Sequence, residues 1–122
     1  YSNAINLQPN LLEAYHYRGI VRYGMKDLDG ALADYNKAIS LGLKSSAIYF
    51  NRGVIFHQKG QLSDAIESYS RSIEIDPSNA RAYYNRAISK LIVDNYKEAL
   101  QDLEISKRLG YSKAAEVISQ YY

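Results

Sequence analysis

The 122-residue chain contains no cysteine and no tryptophan, and only two prolines and two phenylalanines. Without cysteine there are no disulfides, no thiolate nucleophile and no Cys-ligated zinc, although the compartment is not fixed by that absence. No uninterrupted apolar run approaches the roughly 18 residues of a spanning helix, so no membrane partner is expected. A net charge of +2 is too small to point to nucleic acid or an anionic surface. There is no Gly-rich phosphate loop, no serine elbow and no carboxylate pair in a plausible pocket, so no catalytic residue is nominated. His16 and His57 are too few for a metal centre, and neither metal nor cofactor is expected. What the chain does have is 47% hydrophobic and 23% charged residues, with thirteen tyrosines, which is the composition of a folded protein.

The sparse prolines mark a period. Pro9 and Pro77 stand 68 residues apart, twice 34. At the same period lie Tyr15, Tyr49 and Tyr83; Arg18, Arg52 and Arg86; Ala31, Ala65 and Ala99. Gly19 and Gly53 are followed by Ala87, and Tyr35 and Tyr69 by Leu103. The chain is therefore a tandem array. It divides into Leu12–Ser45, Ser46–Asn79 and Ala80–Lys113, preceded by Tyr1–Leu11 and followed by Ala114–Tyr122.

Inside each copy the apolar spacing is helical. Tyr83, Arg86, Ala87 and Lys90 fall at i, i+3, i+4 and i+7, and Tyr96, Ala99, Leu100, Leu103 and Ser106 continue on a second segment. Short polar joints separate the two segments: Met25-Lys26-Asp27, Lys59-Gly60-Gln61 and Val93-Asp94-Asn95. Gly60 reads as a helix terminator, Pro77 as a stop, and Ser78 or Asn79 as the cap of the next helix. Each copy is helix, turn, helix, turn, and the fold class is all-α.

This pattern resembles the tetratricopeptide repeat, whose aromatic, small, Ala, aromatic, small and Pro positions match Tyr49, Gly53, Ala65, Tyr69, Ser72 and Pro77. Leu43 and Tyr111 stand where the proline belongs, Ala87 for the glycine and Leu103 for the aromatic. The resemblance covers the whole chain and implies a right-handed α-α superhelix, a solenoid in which Tyr1–Leu11 is the second helix of a partial repeat. Ala114–Tyr122 would be a capping helix, with Ala115, Val117, Ile118 and Tyr121 covering the last pair.

The resemblance also implies a non-enzymatic protein–protein interaction module that holds a peptide or partner helix in a concave groove lined by first helices. The groove residues expected here are His16, Tyr17, Ile20 and Tyr23 in copy one, Phe50, Asn51, Val54 and His57 in copy two, and Arg81, Tyr84, Asn85 and Ile88 in copy three. Asn51 and Asn85 offer bidentate amide contacts to a peptide backbone; the apolar members offer pockets for its side chains. The family's carboxylate clamp for acidic chaperone C-termini is poorly matched. Its places hold His16, Ile20, Asn51, Arg81 and Asn85, with only Asn51 identical.

The ladder Arg18, Arg52, Arg86 admits an anion-binding reading and a structural one. Asp34 and Asp102 occupy matching places on the second helices, which favours ion pairing; copy two has Ser68 there, leaving Arg52 the expected ligand contact. Lys107, Arg108 and Lys113 cluster near a helix C-terminus, where the dipole alone accounts for them. Tyr1 is not Met and Tyr1–Pro9 carries no signal-peptide pattern, so the chain reads as a piece of a longer or processed protein. Tyr1–Leu11, half a repeat without its partner, suggests self-association through that end. A structural, self-assembling segment and the targeting arm of a larger enzyme are the alternatives to the peptide-binding module.

Overall fold

The computed structural model describes residues 8–122, with side chains from residue 11 onward. Seven helices follow one another: α1 (Gln8–Gly24), α2 (Leu28–Ser40), α3 (Ser46–Gln58), α4 (Leu62–Ile75), α5 (Ala80–Ile92), α6 (Tyr96–Arg108) and α7 (Ser112–Tyr121). There is no strand among the described residues. The segment read as a partial repeat lies outside them up to Leu7. Gln8–Leu11 begin α1 instead of ending an earlier helix.

Two compact units divide the chain, residues 1–48 and 49–122, with the division in the first turn of α3. In the first, α1 packs on α2; in the second, α4 packs on α5, α5 on α6 and α6 on α7.

All three polar joints end their helices in the same way. Lys26 N–H donates to the Tyr23 carbonyl and Asp27 N–H to that of Arg22; Gly60 and Gln61 bond likewise to His57 and Phe56, and Asp94 and Asn95 to Leu91 and Lys90. Nested bonds of this kind satisfy the carbonyls left over at a helix end and require one left-handed residue. Lys26 and Asp94 both adopt it at φ 64°, Gly60 at 78°. The return turns show why the missing prolines do no harm. Gly42 and Gly110 take φ 108° and 100° just before Leu43 and Tyr111, and make the same nested bonds. Where Pro77 is present, Asp76 ends α4, its carboxylate accepts from Ser78, and the Asn79 side chain caps α5 by accepting from Ala82 N–H.

Helix pairs close around the repeated small residue. A methyl group built on Gly53 would lie 2.6 Å from the Tyr69 ring, and one on Gly19 would lie 2.6 Å from the Tyr35 ring. Both tyrosines are buried. In the third copy Ala87 and Leu103 change together: the slimmer Leu103 leaves room for the Ala87 methyl, and both are buried with Ala99 and Ala114. Tyr84, Leu91, Val117 and Ile118 pack against this cluster. The C-terminal cap therefore rests on Ala114, with Val117 and Ile118, whereas Tyr121 is 58% exposed. Of the four residues expected on the inner face, Val117 and Ile118 pack there, Ala115 is half-buried with its neighbour Ala114 taking the buried place, and Tyr121 is exposed in the last turn. Tyr122 fixes the end of the chain by donating from its hydroxyl to the Tyr96 carbonyl at 2.6 Å.

Candidate functional site

Within the second unit, α3 and α5, with Tyr69 of α4, form a half-open cavity of about 260 Å³ lined by Val54, His57, Gln58, Tyr69, Tyr84, Asn85 and Ile88. Five of these seven belong to the groove residues inferred from the sequence. Gln58 and Tyr69 were missed. Tyr69 sits on the repeat's packing stripe, so its ring was assigned wholly to the core; one edge nevertheless reaches the cavity wall. The lining contains no Lys, Arg, Asp or Glu. Aliphatic Val54 and Ile88 and two tyrosine rings form its apolar part, with His57, Gln58 and Asn85 as its hydrogen-bonding groups.

The residues around this cavity are held by specific contacts. Tyr84 packs edge-on against Tyr111, with ring centroids 5.0 Å apart, and partial burial raises its phenol pKa above the usual value. His57 Nδ1 lies 3.1 Å from Ser89 Oγ, a cross-link from α3 to α5. Phe50 stands differently from the sequence expectation. Its ring packs on Tyr69, centroids 5.7 Å apart, and the Arg81 guanidinium lies over it at 5.2 Å. Phe50 thus packs on one lining residue, Tyr69, and neither Phe50 nor Arg81 lines this cavity. Asn51 is half-buried and also outside the lining.

In the first unit, His16 stacks on Tyr17 at 5.8 Å and meets Tyr35 edge-on at 6.0 Å. Its Nε2 is buried without a hydrogen-bond partner, and burial lowers the imidazole pKa despite the opposing pull of Glu13. Tyr17 and Ile20 are exposed and Tyr23 is half-buried. Tyr17 also lines a second cavity of about 460 Å³ on α1, together with Leu11, Ala14, Tyr15, Arg18 and Val21.

The arginine ladder is structural at all three rungs. Arg18 Nε and Nη2 donate to Asp34 at 2.9 and 2.7 Å, and Arg86 donates to Asp102 at 2.8 and 2.7 Å. Such two-point, charge-assisted pairs fix geometry as well as charge. The Arg18 pairing raises that guanidinium's pKa further. Arg52, expected as the rung available to a ligand, is engaged instead. It donates to Ser68 Oγ at 3.0 Å, approaches Glu67 at 3.7 Å, and lies over the Tyr49 and Phe56 rings. Its burial, without an Asp opposite, lowers its pKa. The signal that located this rung was the absent Asp. The replacement of the neighbouring cation by Phe56 was the part not read.

Among the described residues no group of three or more His, Asp or Glu is placed to hold a metal ion, and no helix is long and apolar enough to cross a membrane.

Comparison with known proteins agrees with this architecture. A family model described as a TPR repeat, the tetratricopeptide repeat, matches residues 53–90. No curated protein matches the chain. Among solved structures, the chain is similar to the Arabidopsis OM64 TPR domain, with 25% identity over 93% of this chain and 94% of that one and a TM-score of 0.83. It is similar in fold to the first TPR of Spaghetti (RPAP3) bound to the HSP90 peptide SRMEEVD, at 15% identity, 89% and 94% coverage and a TM-score of 0.77. A third is MamA, at 24% identity, 85% and 61% coverage and a TM-score of 0.78. Residues 53–90 thus match the tetratricopeptide repeat, and the fold is that of the TPR solenoids to which the chain is similar, its seven described helices fitting about three repeats.

Proposed function

We propose that this chain is a non-enzymatic protein-interaction module that holds an extended peptide against α3 and α5 of the second unit. The observation that carries this reading is the cavity itself: five sequence-nominated residues from two helices converge on about 260 Å³. That volume lies just below the range of drug-sized ligand sites and suits one side chain of a longer ligand. Asn85 at its wall has the donor and acceptor to bridge a peptide bond of that ligand. Peptide binding by the similarly folded Spaghetti (RPAP3) repeat adds support for the class of ligand. His16 and Ile20 stand where a carboxylate clamp needs cations and amides, so an internal peptide segment is favoured over an acidic C-terminus.

The test is selection from a displayed library of random decapeptides, followed by titration of the selected peptides. Affinity of roughly micromolar order, near −8 kcal/mol, is expected. Asn85→Ala/Ile88→Ala should weaken it at least tenfold while the helical signal is unchanged, and SRMEEVD should bind no better than its scrambled form. Equal binding by wild type and the double variant would remove the cavity from the site.

Self-association through Tyr1–Leu11 is proposed as a secondary property. Leu11 lines the cavity on α1, where Tyr17 and Val21 are exposed. A monomeric sedimentation profile at high concentration would count against it.

A further inference from the structure

Ser89 is fully buried on α5, and its place is occupied by Ile55 one repeat earlier and Val21 two repeats earlier. His57, its partner at 3.1 Å, likewise stands where the other copies have Tyr23 and Leu91. A polar pair thus stands at one point of the array where the other copies have Val21, Ile55, Tyr23 and Leu91, and its His57 lines the cavity with Ser89 behind it. Packing gives no reason for the exchange, because a buried hydroxyl stabilises nothing unless its hydrogen bonds are made.

The direction of this hydrogen bond follows from the same requirement. Ser40 and Ser70 donate to carbonyls of their own helices, those of Lys37 and Ile66. The Ser89 side chain has only His57 as a partner. Its O–H must donate to Nδ1, since the reverse arrangement would leave a buried donor unmet. In the imidazole tautomer that accepts this bond at Nδ1, the single N–H is on Nε2. The ring's remaining hydrogen-bonding group is then a donor, on a side chain that lines the cavity together with Val54, Ile88, two tyrosine rings, Gln58 and Asn85, with no charged residue in the lining.

We propose that Ser89 is a positioning residue that holds His57 as an Nε2–H donor, so that the cavity selects an aliphatic side chain carrying or followed by an uncharged oxygen acceptor, such as an amide carbonyl. This specificity rests on the peptide-binding reading of the cavity and narrows it. A carboxylate would accept from the N–H but has no cation in the lining to offset its desolvation, and an ammonium would meet a donor at His57 and lose its hydration with no anion in the lining to replace it.

The experiment uses the intact chain labelled with ¹⁵N and three small probes of similar shape: N,N-dimethylisovaleramide, isovalerate and isoamylamine. Long-range ¹H–¹⁵N correlation at neutral pH should show His57 as the Nε2–H tautomer, and Ser89→Ala should convert it to a mixture. The amide probe should shift the His57 and Ile88 resonances at concentrations at least fivefold below either charged probe, and Ser89→Ala should erase that preference while the amide still binds. An Nδ1–H tautomer in the wild type would overturn the proposal, as would an undiminished preference in Ser89→Ala. Equal binding of all three probes would also overturn it, leaving the cavity as a ligand site. No binding by any probe would overturn the proposal, and loss of library-selected peptides as well would remove the underlying reading with it.

Discussion

Lys90 Nζ lies 3.0 Å from Asp102 Oδ2, adding a second cation to the carboxylate already gripped by Arg86. The first copy repeats the arrangement: Arg22 reaches Asp34 at 3.4 Å beside Arg18. In the middle copy all but the arginine has gone, because Phe56 stands in the second cation's place and Ser68 in the acid's. One cation and one anion have been removed together. Each triad, whole or reduced, keeps one net positive charge.

Asp102 is the member whose loss is felt most. It is almost fully buried, and Arg86 and Lys90 are 19% and 10% exposed. Asp102→Ala would leave Arg86 with the Ser70 hydroxyl and Lys90 with the exposed Glu98 carboxylate, and neither with a buried counter-charge, at a cost of about 3 kcal/mol. Lys90→Met leaves the Arg86–Asp102 pair intact and should cost well under half as much. Urea denaturation of the two variants checks the order. Similar midpoints would mean that the carboxylate is not the centre of the triad.

The contact of Gly53 with Tyr69 predicts a coupled pair. Gly53→Ala forces a methyl group onto the Tyr69 ring and should cost about 1–3 kcal/mol through overpacking. The third copy shows the compensation, Ala87 with Leu103. Gly53→Ala combined with Tyr69→Leu should therefore be more stable than the sum of the two single changes, by roughly 1 kcal/mol in a double-mutant cycle. Strict additivity would show that the two positions vary independently.

Lys26 holds a left-handed conformation that glycine adopts without strain, as Gly60 does one repeat later. A side chain there costs on the order of 1 kcal/mol, partly offset by the extra freedom glycine gives the unfolded chain. Lys26→Gly should raise the melting temperature by a few degrees at most, and Gly60→Ala should lower it. A fall in melting temperature for Lys26→Gly would mean that the lysine side chain makes a stabilising contact of its own.

The period of 34, the helical pairs and the joints were legible in the sequence because each depends on local spacing and turn chemistry. Pairing of Arg18 with Asp34 and Arg86 with Asp102 was legible too, since both members recur at fixed separation. The role of Arg52 was not. Its environment depends on Phe56 and Glu67 as well as Ser68, and a one-to-one match of arginine to acid overlooks the aromatic rings that take the missing partner's place. Phe50 was placed by helical position alone, which gives the direction of a side chain but not the Arg81 guanidinium that lies over its ring. Ser89 carried no motif at all. Its meaning appears only when the cavity and the His57 contact are known.

His16 makes the first unit sensitive to acid. Its imidazole is partly buried against Tyr17 and Tyr35, Nε2 lacks a partner, and burial lowers its pKa below the ordinary 6.5. Glu13 opposes this without reversing it. The unfolded chain therefore binds more protons than the folded one between the lowered value and 6.5, and stability rises with pH across that window. The His16 contribution is fully present above about 6.5. It is lost as pH falls from there to the folded-state pKa, and falls no further below it. Melting temperatures measured between pH 7.5 and 5 should drop for the wild type, and the drop should be smaller in His16→Phe, which has no proton to take up. An identical pH profile in His16→Phe would assign the acid sensitivity to other groups, since the aromatic stack on Tyr35 is kept in that variant while the titrating nitrogen is removed.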